Sequence, residues 1–146
     1  MFKVQFMLSS FKGEEVQQLS EAHLKVLLDA LFNINRLWLK KYPKTTRLYS
    51  SGVVYRPEPV GRENWQDIPS VIRQGYGDCE DLACWRAAEL VETEGVEARP
   101  VYRWRRERGI AIYHIIVRLP DGSIDDPSRR LGMGTSREAT LQLPGR

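Results

Sequence analysis

The 146-residue chain has the size of one domain with a single core, and 42% hydrophobic with 28% charged residues is typical of a water-soluble globular protein. Its 22 basic and 19 acidic residues give a net charge of +3 that is spread along the chain, which is only weak evidence for a nucleic-acid partner, and none is expected. Two cysteines without a C-x-x-C pair provide neither a disulfide framework nor a zinc ribbon.

The first predicted elements are a strand and a long helical region. The segment "FKVQFML" alternates polar and apolar residues, as a half-buried strand does. Because no signal-peptide cleavage site or membrane-length apolar stretch is evident, we expect a cytoplasmic protein with no membrane partner. Helical spacing from Glu14 to Lys41 predicts one long helix, or two if Ser20 starts a second, ending before Pro43. The stripe expected to face the core includes Leu24, Leu27, Leu28, Leu31, Ile34 and Leu37.

The middle of the chain alternates irregular and helical patterns. An irregular crossing segment over residues 42–70 is predicted by Pro43, Pro57, Pro59, Gly61 and Pro69, followed by a short helix over Ile68–Arg73. A second helix is predicted from Cys79 to about Thr93, with Gly95 as its left-handed cap.

The last third of the chain predicts an antiparallel meander. Apolar runs in "EARPVYRW" and "IAIYHIIVRL" are separated by the charged turn "RRERG", and the second run is apolar on both faces. A turn at "PDG" precedes a short third strand in "SIDDPS". These elements predict an α+β fold in a single domain over residues 1–146, with its motifs at about 62–130 and a loosely held tail at 132–146.

Cys79 stands at a position that favours thiol chemistry. Asp78 is a good N-cap and Asp81 completes a capping box, which puts Cys79 at the first helical position. There the helix dipole stabilises a thiolate, while Asp78, Glu80 and Asp81 oppose it. That opposition is small if Asp78 caps the helix while Glu80 and Asp81 face solvent.

His114 is the histidine best placed to act on Cys79. It lies among isoleucines in mid-strand, where an imidazole without a partner is costly, whereas His23 reads as a surface residue of the first helix. Asp125 and Asp126 follow on the next strand, and only one of them can share the side of His114. Cysteine, histidine and carboxylate in this order indicate nucleophilic acyl transfer.

"GDCEDLA" opening a helix, "YHIIV" in a strand and "DGSIDDPS" after it resemble the transglutaminase-like core of the papain-like cysteine peptidase superfamily. The resemblance covers about half of the chain and implies N-terminal helices with the nucleophile helix packed on a small antiparallel sheet. It also implies Cys79 as nucleophile, His114 as base and Asp126 as orienting acid, with Asp125 as the alternative. Many members of this family carry an aromatic residue where this chain has Ile116.

The acidic residues beside Cys79 most resemble the bacterial branch of transglutaminase-like cysteine proteinases, some of which bind calcium next to the nucleophile. This implies calcium at Asp78, Glu80 and Asp81, although a calcium site needs six or more ligands and the sequence does not indicate the rest. The other interpretation of these residues is helix capping and solvation. No cofactor is otherwise required.

Two further features remain open at this level. The second oxyanion donor, beside the Cys79 backbone N–H, is either Gln74 or the indole of Trp65, unless both are packing residues. The run "RWRRER" from Arg103 to Arg108 predicts a solvated hairpin tip, or else a rim that selects acidic substrates or touches nucleic acid.

We therefore expect a cysteine hydrolase, a peptidase or amidase acting on a protein or peptide through a thioester. A phage-type cell-wall endopeptidase is an alternative, although such enzymes typically show "DCSGL" where this chain has "DCEDL". The other alternative is a catalytically silent phage or bacterial assembly protein with the same fold. With "GDCEDLACWRAAEL" after a "VVYRPEP…W" segment, the chain also resembles compact phage-encoded members of the family, which would place it in the host cell or the virion.

Overall fold

A computed structural model describes residues 14–59, 64–107 and 110–134, with side chains over 21–59, 64–103 and 113–134. Every structural statement below concerns those residues. The strand expected in "FKVQFML" and the tail beyond residue 134 lie outside them. The described chain is an α+β domain, as the pattern predicted. Among its described helices, none combines the length and the apolar character that crossing a membrane requires.

Helix α1 is continuous from Glu14 to Lys41, so no second helix begins at Ser20. Its last turn ends two residues before Pro43, which cannot donate a helical hydrogen bond. Residues at spacings of three and four form its buried face: Leu24, Leu28, Leu31, Phe32, Asn35 and Leu39. Ile34 and Leu37 were expected there, but they are 49% and 66% exposed because they project roughly 100° or more from the centre of that face.

A two-strand ladder in the middle of the chain was not predicted. Strand β1, Val54–Tyr55, pairs in parallel with β2, Tyr76–Gly77, on either side of helix α2, Ile68–Gln74. A turn of 3₁₀ helix at Leu48–Ser50 precedes β1. The region interpreted as an irregular crossing therefore supplies backbone hydrogen bonds to the segment that leads into Cys79.

Helix α3, Cys79–Glu94, is the buried centre of the domain. It begins with the predicted capping box, in which the Asp78 and Asp81 side chains each accept the other's backbone N–H, and it ends at Gly95 with φ 65°. Ten of its side chains are buried, and it packs against both α1 and the sheet. Alanines on this helix allow those elements to approach closely.

The sheet is the predicted meander, with strands β3, Arg99–Glu107, β4, Ile110–Arg118, and β5, Ile124–Asp125, in sequential antiparallel order. Pairing extends to Glu107 opposite Ile110, so most of "RRERG" is strand rather than turn. The charged run was read as a turn because its residues are polar, but backbone pairing continues regardless of side-chain polarity. Ile115, Ile116 and Val117 are all buried, which confirms that β4 is covered on both faces. Helix α4, Pro127–Arg130, follows the sheet.

Candidate active site

Cys79 occupies the first position of α3 and lies against the strand that carries His114. The backbone N–H of Ile115, the residue after His114, favours the thiolate form of Cys79 and so acts to lower its pKa. The side chain is partly exposed, whereas Cys84, one and a half turns later, is fully buried. Both thiols are free. The structure therefore distinguishes an accessible cysteine at the helix start from an inert one in the core.

His114 and Asp126 are brought together directly. The His114 Nε2 atom lies 2.9 Å from Asp126 Oδ2, while Oδ1 of the same carboxylate caps α4 by accepting the Arg129 backbone N–H at 3.2 Å. Burial opposes ionisation of Asp126, yet His114 and Arg129 together hold its pKa below the usual value. Asp126 is therefore a carboxylate that can only accept, which places the hydrogen on Nε2 and leaves Nδ1 as the acceptor nitrogen.

Asp125 makes a different set of contacts. Its Oδ1 accepts a 2.6 Å hydrogen bond from the Tyr49 hydroxyl, and its Oδ2 accepts one of 2.9 Å from Arg86 Nε. Burial and the neighbouring Asp125 raise the pKa of Tyr49 far above its usual value. Because successive strand residues face opposite sides, the structure pairs Asp126 with His114 and uses the alternative acid, Asp125, elsewhere.

Arg86 is the centre of an ionic network that sequence reasoning missed. Its Nη1 lies 2.6 Å from Glu89 Oε2, and Glu89 Oε1 accepts the Leu48 backbone N–H at 2.8 Å. With Asp125, these contacts join α3 to the 3₁₀ turn and to β5. The sequence did contain an indication of this network, because Arg86 and Glu89 lie three residues apart on a helix whose other residues are mostly of the buried type.

The acidic residues beside Cys79 are buried, contrary to the expectation that Glu80 and Asp81 face solvent. Glu80 is 2% and Asp81 1% exposed. Asp81 Oδ1 accepts the Gln66 backbone N–H at 2.7 Å, and its Oδ2 completes the capping box. Burial and the nearby Asp78 and Asp81 raise the pKa of Glu80 to about 10, and burial and Asp78 also raise that of Asp81.

The thiol of Cys79 is protonated in this environment. It donates a 3.1 Å hydrogen bond to Glu80 Oε2. Burial, followed by the charge of Glu80, raises the pKa of Cys79 well above its usual value, although the Ile115 N–H acts in the opposite direction. Burial and Glu80 therefore oppose the thiolate that the helix dipole was expected to stabilise.

Replacing Glu80 with glutamine should stabilise the fold, more strongly at high pH. A buried acid with a raised pKa keeps its proton in the folded state. The free energy of unfolding therefore falls as the pH rises from 4.5, the ordinary pKa of the carboxyl, towards about 10, its pKa in the fold. Glutamine cannot ionise, so we expect its advantage to grow by about 1 kcal/mol or more between pH 5 and pH 8. Denaturant unfolding of both proteins at the two pH values measures this, with exposed Glu94→Gln as control. An equal difference at both pH values would show that Glu80 ionises freely in the fold.

The side chains expected to complete an oxyanion hole have other contacts. Gln74 donates one amide hydrogen to the Tyr76 carbonyl at 2.9 Å, and its amide group carries a second hydrogen besides this one. Trp65 is partly buried and packs against the core. The Cys79 backbone N–H lies at the first helical position, where helical partners are lacking. The oxyanion roles of these groups stay predictions.

Metal binding receives no support from the arrangement of side chains. Within the part of the chain that the structure describes, no three histidine, cysteine, aspartate or glutamate side chains form a group that could hold a metal ion. Both oxygens of Asp81 accept backbone N–H groups, and Glu80 contacts the thiol. Calcium at Asp78, Glu80 and Asp81 stays a prediction.

Comparison with protein-family models, with curated proteins and with solved structures finds no match to this chain. The case for a function therefore depends on the residues and contacts described above.

Proposed function

We propose that the protein is a cysteine hydrolase of the transglutaminase-like, papain-like kind, which cleaves an amide or peptide bond with Cys79, His114 and Asp126. The observation that carries this proposal is the 2.9 Å hydrogen bond between His114 Nε2 and Asp126 Oδ2, beside a strand that packs against the helix that Cys79 begins. Nucleophile, base and orienting acid thereby lie on three adjoining elements in the order that acyl transfer needs.

The protonated thiol favours a general-base mechanism. Cys79 leaves its hydrogen bond to Glu80, and Sγ attacks the substrate carbonyl carbon as His114 Nδ1 takes the thiol proton. Collapse of the tetrahedral intermediate breaks the C–N bond, and the imidazolium gives that proton to the departing amine. Water then attacks the thioester with His114 as base, which releases the acid and restores the thiol. Asp126 holds the imidazole in the required tautomer throughout.

Alkylation by iodoacetamide, read by peptide mass mapping, tests the nucleophile. We expect modification at Cys79 but not at Cys84, because the latter is 0% exposed. Cys79→Ala should abolish the labelling, while Cys84→Ala should leave it unchanged. Because burial raises the pKa of Cys79, the rate should still be increasing above pH 9. Labelling at Cys84 alone, or at neither cysteine, would count against the proposal.

One observation favours the second candidate, a catalytically silent interaction protein on the same fold. The thiol hydrogen bond to Glu80, together with the raised pKa of Cys79, describes an unreactive cysteine. The two functions differ in a simple measurement: a silent protein shows no burst of nitrophenolate when mixed with p-nitrophenyl acetate, whereas a cysteine hydrolase does.

A further inference from the structure

An arginine lies beside the proposed base. Arg103 on β3 is directly opposite His114 on β4, and its side chain is exposed. Residues directly opposite in an antiparallel pair project from the same face, with Cβ atoms about 5 Å apart. The guanidinium of Arg103 therefore stands on the face of the sheet that carries the imidazole. This residue begins the charged run that the sequence interpreted as either a solvated tip or a selective rim.

Two more arginines extend from other segments that frame the site. Arg129 is 72% exposed at its side chain, and its Nε lies 3.4 Å from Asp126 Oδ2. Arg56 is exposed, and its guanidinium carbon lies 4.6 Å from the centre of the Tyr76 ring. Its backbone N–H donates to the carbonyl of Gly77, two residues before Cys79. We call Arg56, Arg103 and Arg129 the basic rim.

The acidic residues near Cys79 do not neutralise the basic rim. Glu80 and Asp81 are buried and have raised pKa values, so burial suppresses their charge. Asp126 is ionised, but its carboxylate is already paired with His114 and Arg129. Glu58 lies near Asp81 and accepts the Asn64 backbone N–H. Asp78 is 6% exposed and caps α3, whereas Arg56 and Arg103 are exposed, so the guanidinium groups are the charges that a ligand meets at the surface.

We propose that the basic rim selects peptide substrates that carry aspartate or glutamate side chains beside the bond to be cleaved. Guanidinium groups bind carboxylates with two parallel hydrogen bonds, and they remain charged at every working pH. Because the three arginines come from β3, from the segment after β1 and from α4, carboxylates on either side of the bond can be engaged. This inference rests on the proposed function and names its substrate class.

The electrostatic potential that the basic rim creates at Cys79 can be measured by comparing the rates at which a charged and an uncharged reagent alkylate this residue. Iodoacetate carries a carboxylate and iodoacetamide does not, while both need the same thiolate, so the ratio of their rates cancels any change in its pKa. Arg103→Glu should lower the iodoacetate-to-iodoacetamide ratio about 3- to 10-fold at low ionic strength, and Arg56→Glu should act in the same direction. Salt at about 1 M should remove most of the difference.

Lys44→Glu provides the matched charge change. Lys44 is exposed and lies three residues before Arg47. Arg47 pairs with Glu94, the last residue of α3, which is about 22 Å along the helix from Cys79. Lys44→Glu should leave the ratio unchanged. Arg103→Gln, a milder replacement, should lower the ratio by a smaller factor, and it serves if the glutamate variant does not fold.

Protection of Cys79 identifies the ligand class. Peptides rich in glutamate should slow iodoacetamide labelling of the wild type, and the same peptides with glutamine should not. Protection by a single-stranded oligonucleotide without protection by the acidic peptide would overturn the proposal in favour of a nucleic-acid contact. A Cys79 that iodoacetamide does not modify would overturn the proposed function as well. Normal iodoacetamide labelling, with a rate ratio that Arg103→Glu leaves unchanged, would overturn the basic-rim proposal alone.

Discussion

His114→Ala is expected to lower the turnover of p-nitrophenyl acetate at pH 7 by about 100-fold or more. General-base catalysis by a positioned side chain typically contributes 10²- to 10⁴-fold, and here the requirement is strong because the Cys79 thiol is protonated at rest. Without the imidazole, attack waits for the small fraction of thiol that ionises spontaneously. The nitrophenolate burst and the steady-state rate, followed by absorbance, measure both acylation and deacylation.

The chain has two histidines, and His23, which is not part of the proposed triad, provides the control for His114. His23→Ala, on α1, should leave turnover unchanged. Asp126→Asn should lower turnover less than His114→Ala while keeping the imidazole in place. An equal turnover in wild type and His114→Ala would show that His114 takes no part in the chemistry.

Arg86→Met is expected to lower the free energy of unfolding by about 3–5 kcal/mol. The substitution leaves Glu89, which is 1% exposed, without its cation and removes one of the two cations of Asp125, and an uncompensated buried charge costs about this much. Arg86 also covers the Tyr49 ring, with its guanidinium carbon 4.9 Å from the ring centre, so some packing is lost too. Denaturant unfolding of both proteins, followed by far-UV circular dichroism, measures the difference.

Arg36→Met is the comparison for this prediction. Arg36 makes an equally short contact with Glu92, at 2.6 Å, but its side chain is 33% exposed, so a loss of at most about 1 kcal/mol is expected. Adding Glu89→Gln to Arg86→Met should restore part of the stability, because glutamine removes the unpaired charge and can still accept the Leu48 N–H. Equal losses for Arg36→Met and Arg86→Met would contradict the network's structural role.

Local signals made part of this site predictable. A capping box needs only residues three apart, so the sequence indicated the start of α3 and the place of Cys79. Alternation of side chains along a strand indicated that only one of Asp125 and Asp126 can share the side of His114, while the choice of Asp126 came from the family resemblance. The bounds of α1, α2 and α3 were likewise marked by proline, glycine and capping residues.

Long-range packing accounts for what the sequence did not indicate. Glu80 and Asp81 are polar, so solvation was the natural expectation, yet both are buried, and Gly77 of β2 and Gln66 before α2 lie against Asp81. Pairing between β1 and β2 involves two residues in each strand, too few for a periodic pattern to register. The hydrogen bonds of Arg86 and Glu89 join residues up to 41 positions apart, a distance over which composition carries no information.

The short strand β1 has a consequence for how the site meets a substrate. Besides its pairing with β2, the N–H of Tyr55 donates a 2.9 Å hydrogen bond to the carbonyl of Leu131, just past α4. One strand thereby joins the segment before Cys79 to the segment after Asp126. Under the proposed function, we expect these two segments to move together, so that little conformational entropy is lost when a substrate binds beside them.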